Sequence, residues 1–218
     1  MIRVVIADDE ALIRTGLTTI LSAAGDIEVV GEAASGGAAL TQARALRPDV
    51  VCMDIRMPDG DGLWATREIT ALAEPTPAVL VVTTFDHDEY VFGALESGAC
   101  GVVLKDSPMD VLVAGVRRAA RGEGLLDAPL TRRVIGEFAN RRTRSAPGPG
   151  PLTVPLTPRE VDCVRELCRG QSNNDIAATL YLEPSTVKTH LSNVMAKTGA
   201  RGRVQLVIWA FRSGLVDS

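Results

Sequence analysis

Short apolar segments alternate with amphipathic stretches along residues 1–121, and this alternation constrains the fold more than any other feature of the sequence. Strands that alternate with helices are typical of βαβ units, which form parallel sheets with right-handed crossovers. We therefore predict an α/β domain with a doubly wound, five-stranded parallel sheet over residues 1–121. The predicted strands are Ile2–Ala7, Glu28–Glu32, Val50–Met53, Ala78–Val82 and Gly101–Leu104, and the predicted helices are Ala11–Ala23, Gly37–Leu46, Gly62–Leu72, Asp88–Ser97 and Pro108–Arg121.

Residues 122–151 have a different composition from the segments on either side. They contain one stretch with helical spacing, Pro129–Asn140, and then a basic run rich in proline and glycine, RRTRSAPGPGP. Such a run favours an exposed linker between domains. We therefore predict that a linker with a short helix joins two domains.

Residues 152–218 carry helical patterns only. Thr157 precedes Pro158, and Glu160 follows three residues after Thr157, which predicts a capping box at the start of a helix. We predict that this helix runs to about Arg169. Three further helices are predicted at Asn174–Leu180, Pro184–Thr198 and Arg203–Ser213, so that residues 152–218 form a small all-α domain.

The net charge of −4 hides an uneven distribution of charge between the two predicted domains. Residues 1–121 hold 10 Lys and Arg against 18 Asp and Glu, whereas residues 152–218 hold 8 against 6. This asymmetry favours two units with different partners.

The sequence has no apolar run of membrane-spanning length and no signal peptide at its start, and its four cysteines lack metal-binding spacing. We therefore expect a cytoplasmic protein with reduced thiols.

Acidic residues follow the first and third predicted strands. Asp8 and Asp9 come directly after the first strand and Asp54 after the third, while Thr83 follows the fourth and Lys105 the fifth. Because functional sites of parallel sheets lie at the carboxyl ends of their strands, we expect these five side chains to meet. Three neighbouring carboxylates repel one another unless a cation is present, and oxygen ligands favour Mg²⁺. A single acidic residue at a strand end could instead cap the following helix.

A carboxylate beside Mg²⁺, a lysine and a threonine has the groups needed for phosphoryl transfer. The carboxylate can attack phosphorus, while the cation and Lys105 neutralise the phosphoryl oxygens and Thr83 donates a hydrogen bond to one of them. The sequence therefore predicts a phosphoacceptor site centred on Asp54.

The predicted helices Asn174–Leu180 and Pro184–Thr198 have the lengths and the short connection of a helix-turn-helix, whose second helix enters the major groove of DNA. Polar residues on the second helix could equally form an ordinary solvated face. We predict base contacts from Lys188, Thr189, Ser192 and Asn193, and phosphate contacts from Lys197, Arg201 and Arg203.

Four motifs in the first domain resemble the receiver domain of two-component response regulators. They are IADDE at 6–10, VVCMDIRMPDGDG at 50–62, VVTTFD at 81–86 and GACGVVLKD at 98–106. The resemblance implies a flavodoxin-like fold and phosphorylation of Asp54 by a histidine kinase. It also implies that Asp9, Asp54 and the backbone carbonyl of Arg56 bind Mg²⁺ directly, that Asp8 acts through a metal-bound water, and that Thr83 and Lys105 bind the phosphoryl group.

The sequence departs from the receiver pattern at Val102, where receivers commonly carry an aromatic residue that swings inward on phosphorylation. A switch through an aromatic rotamer at this position is therefore not expected. The loop from Thr83 to Phe85 and the helix that carries Tyr90 and Phe92 are the alternative route, although these aromatics could simply pack in the core.

The segments TPRE, NxxIA and TVKTHLSNV between residues 157 and 194 resemble the LuxR-type DNA-binding domain. Together with a receiver, this resemblance implies a response regulator of the NarL/FixJ class. Glu183 stands where family members often have a capping serine, and Gly202 replaces a more common acidic residue. We expect the first change to weaken capping of the recognition helix.

Together these features predict a transcriptional regulator and not a dedicated enzyme. Phosphorylation of Asp54 is expected to shift the receiver and to promote homodimerisation and binding to double-stranded DNA. Three alternatives remain open from the sequence: a DNA-binding regulator that works without phosphorylation, a ligand-sensing regulator with the same DNA-binding domain, and a Mg²⁺-dependent hydrolase that forms an aspartyl phosphate.

Overall fold

The computed structural model describes residues 1–58, 61–73, 75–84, 88–122, 155–200 and 202–216. The chain divides into two compact units, Met1–Leu125 and Leu126–Ser218. The predicted helix Pro129–Asn140 lies outside the described residues, and the predicted domain boundaries stay predictions.

The first unit is the predicted doubly wound α/β domain. Its elements in chain order are β1 (Ile2–Ala7), α1 (Ala11–Ser22), β2 (Ile27–Ala33), α2 (Gly36–Leu46), β3 (Val50–Met53), α3 (Gly62–Thr70), β4 (Ala78–Thr83), α4 (Asp88–Glu96), β5 (Gly101–Leu104) and α5 (Met109–Ala120). The five strands are parallel, in the spatial order β2-β1-β3-β4-β5. The chain therefore winds outward from β1 in both directions, which places a switch in strand order between β1 and β3.

The strands are apolar along their whole length because helices cover both faces of the sheet. On one face, Val4 and Ile6 of β1 and Leu80 of β4 pack in one buried cluster with Leu112 and Val116 of α5. The predicted strand and helix bounds differ from the observed ones by two residues or fewer. For example, α3 ends at Thr70 and not at Leu72, and α5 begins after Pro108.

The second unit is the predicted all-α domain. It contains α6 (Pro158–Cys168), α7 (Asn173–Leu180), α8 (Pro184–Thr198) and α9 (Arg203–Ser213). The predicted capping box at Thr157 and Glu160 is present at the start of α6, and a second one, formed by Ser172 and Asp175, begins α7. These reciprocal hydrogen bonds satisfy backbone N–H groups that a helix start would otherwise leave unpaired.

The thiols behave as small apolar groups. Burial raises the pKa of Cys52 and Cys168 to about 12, so both remain protonated at neutral pH. Within the described part of the chain, none of the helices has the length and apolar character required to cross a membrane.

Candidate phosphoacceptor site and nucleic-acid interface

The carboxyl ends of β1 and β3 bring together the three predicted carboxylates. Asp8 and Asp9 follow β1, Asp54 follows β3, and one carboxylate oxygen of each lies within 4.8 Å of those of the other two. The two strands are neighbours in the sheet, with Ala7 of β1 opposite Met53 of β3. Adjacent parallel strands that end at the same level therefore place these acidic side chains side by side.

Lys105, which follows β5, reaches across to this cluster. Its ammonium Nζ lies 2.5 Å from Asp8 Oδ2 and 2.9 Å from Asp54 Oδ2. Burial by itself would lower the pKa of Lys105, but the hydrogen bonds and negative charges of Asp8 and Asp54 outweigh burial and raise that pKa. The lysine therefore stays charged and fixed between two carboxylates.

Asp54 is held in one orientation. Its Oδ1 accepts a 2.7 Å hydrogen bond from the backbone N–H of Ile55, and its Oδ2 accepts the bond from Lys105. Burial raises the pKa of Asp54, since only 6% of the residue is exposed, while Lys105 acts in the opposite direction. The hydrogen bonds from Lys105 and Ile55 favour the charged carboxylate but do not fully offset the effect of burial on its pKa.

The donor set fits a divalent cation of the Mg²⁺ type. Three carboxylates lie close together and two of them, those of Asp8 and Asp54, pair with the ammonium of Lys105, so this cluster keeps excess negative charge. Its acidic donors are oxygen atoms, the ligands that hard cations prefer. Asp9 is exposed while Asp8 and Asp54 are buried, so the cluster is open on one side.

A cavity of about 620 Å³ opens onto Asp54 and Lys105. Arg56, whose backbone carbonyl is a predicted metal ligand, lies on the wall of this cavity. Thr83 is fully buried at the end of β4, and its backbone oxygen accepts a 2.8 Å hydrogen bond from the N–H of Lys105. Thr83 is not among the residues that line the cavity, whereas the next residue, Thr84, lines it. Thr84 was missed from the sequence, although the doubled threonine of VVTT was a signal for it.

Gly62, at the start of α3, is a second residue that sequence reasoning missed. A Cβ atom at this position would lie 1.8 Å from the backbone oxygen of Asp54, so any side chain would displace the acceptor strand. The Gly62 N–H also donates a 2.7 Å hydrogen bond to the oxygen of Ile55. The glycine therefore lets α3 begin directly against the acceptor residue.

Val102 occupies the place in β5 where receivers commonly carry an aromatic residue. Val102 lies in β5 opposite Val81, with 8% of its surface exposed, and it packs as an ordinary strand residue. Phe92 is buried in the core. The aromatic side chain of Tyr90, by contrast, lies on the wall of the acceptor cavity.

The second helix of the helix-turn-helix, α8, has the two faces that the sequence predicts. Val187, Leu191 and Val194 are buried against the rest of the domain. The four predicted base-contacting residues are exposed on the outside: Lys188, Thr189, Ser192 and Asn193. Their hydrogen-bonding groups are therefore accessible to a ligand, as groove contacts require.

Two of the predicted phosphate-contacting residues make contacts inside the domain. Lys197 Nζ lies 2.9 Å and 2.7 Å from the two carboxylate oxygens of Glu160, a residue only 3% exposed. Lys197 follows Lys188 by nine residues, about 2.5 helical turns, which places it on the opposite face of α8. A buried carboxylate needs a counter-charge, so Lys197 has a structural role that the sequence analysis did not assign.

Arg203 likewise bridges secondary-structure elements within the domain. Its guanidinium donates a 2.8 Å hydrogen bond to the side-chain oxygen of Asn173 and another to the backbone oxygen of Gln171. It therefore ties the start of α9 to the start of α7. Arg201 lies outside the described residues. Phosphate contacts by all three basic residues stay predictions.

Comparisons with known families cover both units. The model of the response regulator receiver domain matches residues 4–117, and the model of bacterial regulatory proteins of the luxR family matches residues 154–210. Each matched region contains one of the two sites described above.

Among curated proteins, the chain is 37% identical to the uncharacterized transcriptional regulatory protein YxjL of Bacillus subtilis, over 99% of this chain and 98% of that one. It is 36% identical to the oxygen regulatory protein NreC of Staphylococcus haemolyticus, over 99% of both chains. Among solved structures, the receiver domain of the response regulator NarL from Mycobacterium tuberculosis matches with a TM-score of 0.53 and 39% identity, over 56% of this chain and 98% of that one. The chain therefore belongs to the NarL-class response regulators, the two-component transcriptional regulators that join a receiver domain to a LuxR-type DNA-binding domain.

Proposed function

We propose that Asp54 accepts a phosphoryl group from a histidine kinase and that this modification controls binding of the second unit to DNA. The observation that carries the proposal is the convergence of Asp8, Asp9 and Asp54, two of them paired with the ammonium of Lys105, at a cavity large enough for a phosphoryl donor. Membership of the response regulator family supplies the kinase and DNA as partner classes.

In the proposed transfer, an oxygen of the Asp54 carboxylate attacks phosphorus and forms a new P–O bond. The bond between phosphorus and the donor atom, a nitrogen of the kinase histidine, breaks, and its electron pair leaves with that nitrogen. The Ile55 N–H and Lys105 hold the carboxylate in position for this attack. Lys105 also balances charge on the phosphoryl oxygens.

The residues that would hold Mg²⁺ are Asp9, Asp54 and the backbone carbonyl of Arg56, with Asp8 acting through a water. When bound, Mg²⁺ supplies a Lewis acid that neutralises the excess negative charge of the carboxylates and the incoming phosphoryl oxygens. Thr83 is proposed to donate a hydrogen bond to the transferred group.

Phosphorylation adds close to two negative charges beside Asp54, which biases the receiver toward a second conformation. We propose that this second conformation promotes homodimerisation, because two helix-turn-helix units reach two half-sites and together provide the affinity that one small unit lacks. We propose that the exposed face of α8 contacts the DNA bases. Chromosomal DNA as the ligand favours action in the cytoplasm.

Labelling with a radioactive acyl phosphate and Mg²⁺ tests the acceptor. We expect one stable equivalent of label on the full chain and none on Asp54→Asn. Asp61→Asn is the matched control, because Asp61 lines the same cavity but caps α3 through the N–H of Trp64, a role that asparagine can keep. Sustained release of many equivalents of phosphate would instead support the hydrolase alternative.

Genome-wide footprinting with and without the phosphodonor tests the consequence for DNA binding. We expect occupancy of paired half-sites to rise on phosphorylation in the wild type and to stay at the basal level in Asp54→Ala. Full occupancy by Asp54→Ala would support a regulator that works without phosphorylation.

A further inference from the structure

Arg14 of α1 contacts the backbone that carries two of the three carboxylates. Its guanidinium nitrogen Nη1 donates hydrogen bonds to the backbone oxygen of Asp8, at 2.8 Å, and to that of Asp9, at 3.2 Å. The contacts are to the main chain, so they hold the loop itself and leave the carboxylate oxygens available to a cation.

The other edge of the same guanidinium is fixed by β2. Arg14 Nε lies 3.3 Å from Glu32 Oε2, and the second oxygen of Glu32 accepts a 3.1 Å hydrogen bond from Thr18. Thr18 lies one helical turn beyond Arg14 on α1, so the carboxylate joins two residues of that helix to the neighbouring strand. The Arg14 side chain is only 17% exposed, which restricts its alternative positions.

A planar guanidinium suits this place because its N–H groups diverge at fixed angles and can hold acceptors in several directions at once. Three carboxylates within 4.8 Å repel one another, and a flexible loop would let Asp8 and Asp9 move apart from Asp54. A metal site retains affinity when its ligands are held in the binding geometry before the ion arrives.

We propose that Arg14 is a positioning residue of the acceptor site: oriented by Glu32, it holds the Asp8–Asp9 backbone in the arrangement that binds the divalent cation, and it thereby sets the Mg²⁺ concentration at which Asp54 is phosphorylated. This inference rests on the proposed function of the same site.

The test compares Arg14→Met with Arg117→Met in the full chain. Arg117 is a matched control because it also pairs with a carboxylate, that of Asp26, and contacts a backbone oxygen, that of Ala24, but it lies on α5 away from the acceptor cavity. Two quantities are measured: Mg²⁺ affinity by calorimetry without phosphodonor, and the initial labelling rate by an acyl phosphate across a Mg²⁺ titration.

For Arg14→Met we expect the Mg²⁺ dissociation constant and the half-saturating Mg²⁺ concentration to rise about tenfold, with the labelling rate at saturating Mg²⁺ close to that of the wild type. Arg117→Met should keep the wild-type values of both. Glu32→Gln retains Arg14 but removes the charge that orients it, so it should shift both values in the same direction by a smaller factor, and it serves as the test if Arg14→Met does not fold.

A folded Arg14→Met with wild-type Mg²⁺ affinity would overturn the inference, as would an equal shift in Arg117→Met. A wild-type chain that binds Mg²⁺ but takes no label would count against the proposed function alone, and the calorimetric comparison would still decide on Arg14.

Discussion

Each of the two units pairs a lysine with one or more buried carboxylates, and the two clusters differ in their balance of charge. In the second unit, Lys197 faces one carboxylate, Glu160, which also accepts a 2.7 Å hydrogen bond from the backbone N–H of Thr157. In the first unit, Lys105 contacts Asp8 and Asp54, and Asp9 adds a third carboxylate. The first cluster retains negative charge for a ligand, whereas the second is neutral and joins helices.

The contrast shows that burial of a charged pair does not by itself identify a functional site. A pair that is neutral and fully hydrogen-bonded serves the fold, while an excess of one charge marks a place where the chain is incomplete without a ligand. The opposite pKa shifts of the two acidic groups agree with this distinction, since that of Asp54 is raised and that of Glu160 is lowered.

The largest expected difference is in phosphorylation. Lys105→Met should lower the initial labelling rate of Asp54 by about 10²- to 10³-fold, because it removes a charged donor from the phosphoryl oxygens. Lys197→Met should leave the rate unchanged. The measurement is incorporation of label from an acyl phosphate at saturating Mg²⁺, and equal loss in both variants would contradict the functional distinction between the two lysines.

In the second unit, breaking the ion pair between Lys197 and Glu160 should lower stability. Lys197→Met leaves Glu160 buried without its counter-charge, so we expect the free energy of unfolding of this unit to fall by about 3 kcal/mol. Lys188→Met is the control on the same helix, because Lys188 is exposed and should change stability little. Denaturant unfolding with hydrogen exchange in α8 measures both, and equal stability of the two variants would show that the buried pair is dispensable.

The pH dependence of stability in the second unit should reflect the same pair, Lys197 and Glu160. Burial by itself would raise the pKa of Glu160, but hydrogen bonds from Lys197 and Thr157 outweigh it and hold that pKa below the ordinary value of 4.5. The ionised form is thus favoured by folding, and its contribution is complete above the ordinary pKa and is lost as the pH falls through the folded pKa.

We therefore expect protection of α6 and α8 from hydrogen exchange to fall as the pH is lowered from about 5 to about 3. Glu160→Gln cannot titrate, so its protection should be lower at pH 7 and should change less over this range. A wild-type profile that coincides with that of Glu160→Gln would contradict the assignment.

The smallest effect concerns the two helices of the helix-turn-helix. The side chain of Ser172 caps α7, whereas the N-cap residue of α8, Glu183, makes no side-chain cap. Glu183→Ser should therefore raise the free energy of unfolding by about 0.5 to 1 kcal/mol, and Ser172→Ala should lower it by about 1 kcal/mol. Denaturant unfolding checks both, and a destabilising Glu183→Ser would mean that the glutamate has another role.

The alternation of apolar strands and amphipathic helices was sufficient to predict the first unit. Period-2 and period-3.6 patterns are local properties, and right-handed crossovers leave few ways to arrange five parallel strands. The same reasoning predicted that Asp8, Asp54 and Lys105 meet, because the carboxyl ends of parallel strands share one edge. This reasoning missed Gly62, because the clash that a side chain would make there depends on how closely α3 approaches Asp54.

The sequence by itself determined the order of the elements, the acidic cluster and the faces of α8, because each follows from local periodicity and the ends of strands. The tertiary structure alone decided which charges find partners. Lys197 is basic and lies on the recognition helix, yet a buried glutamate 37 residues earlier binds it. Arg14, which contacts the Asp8–Asp9 backbone, also pairs with Glu32 on β2. Partners distant in the chain are set by packing, and no local pattern records them.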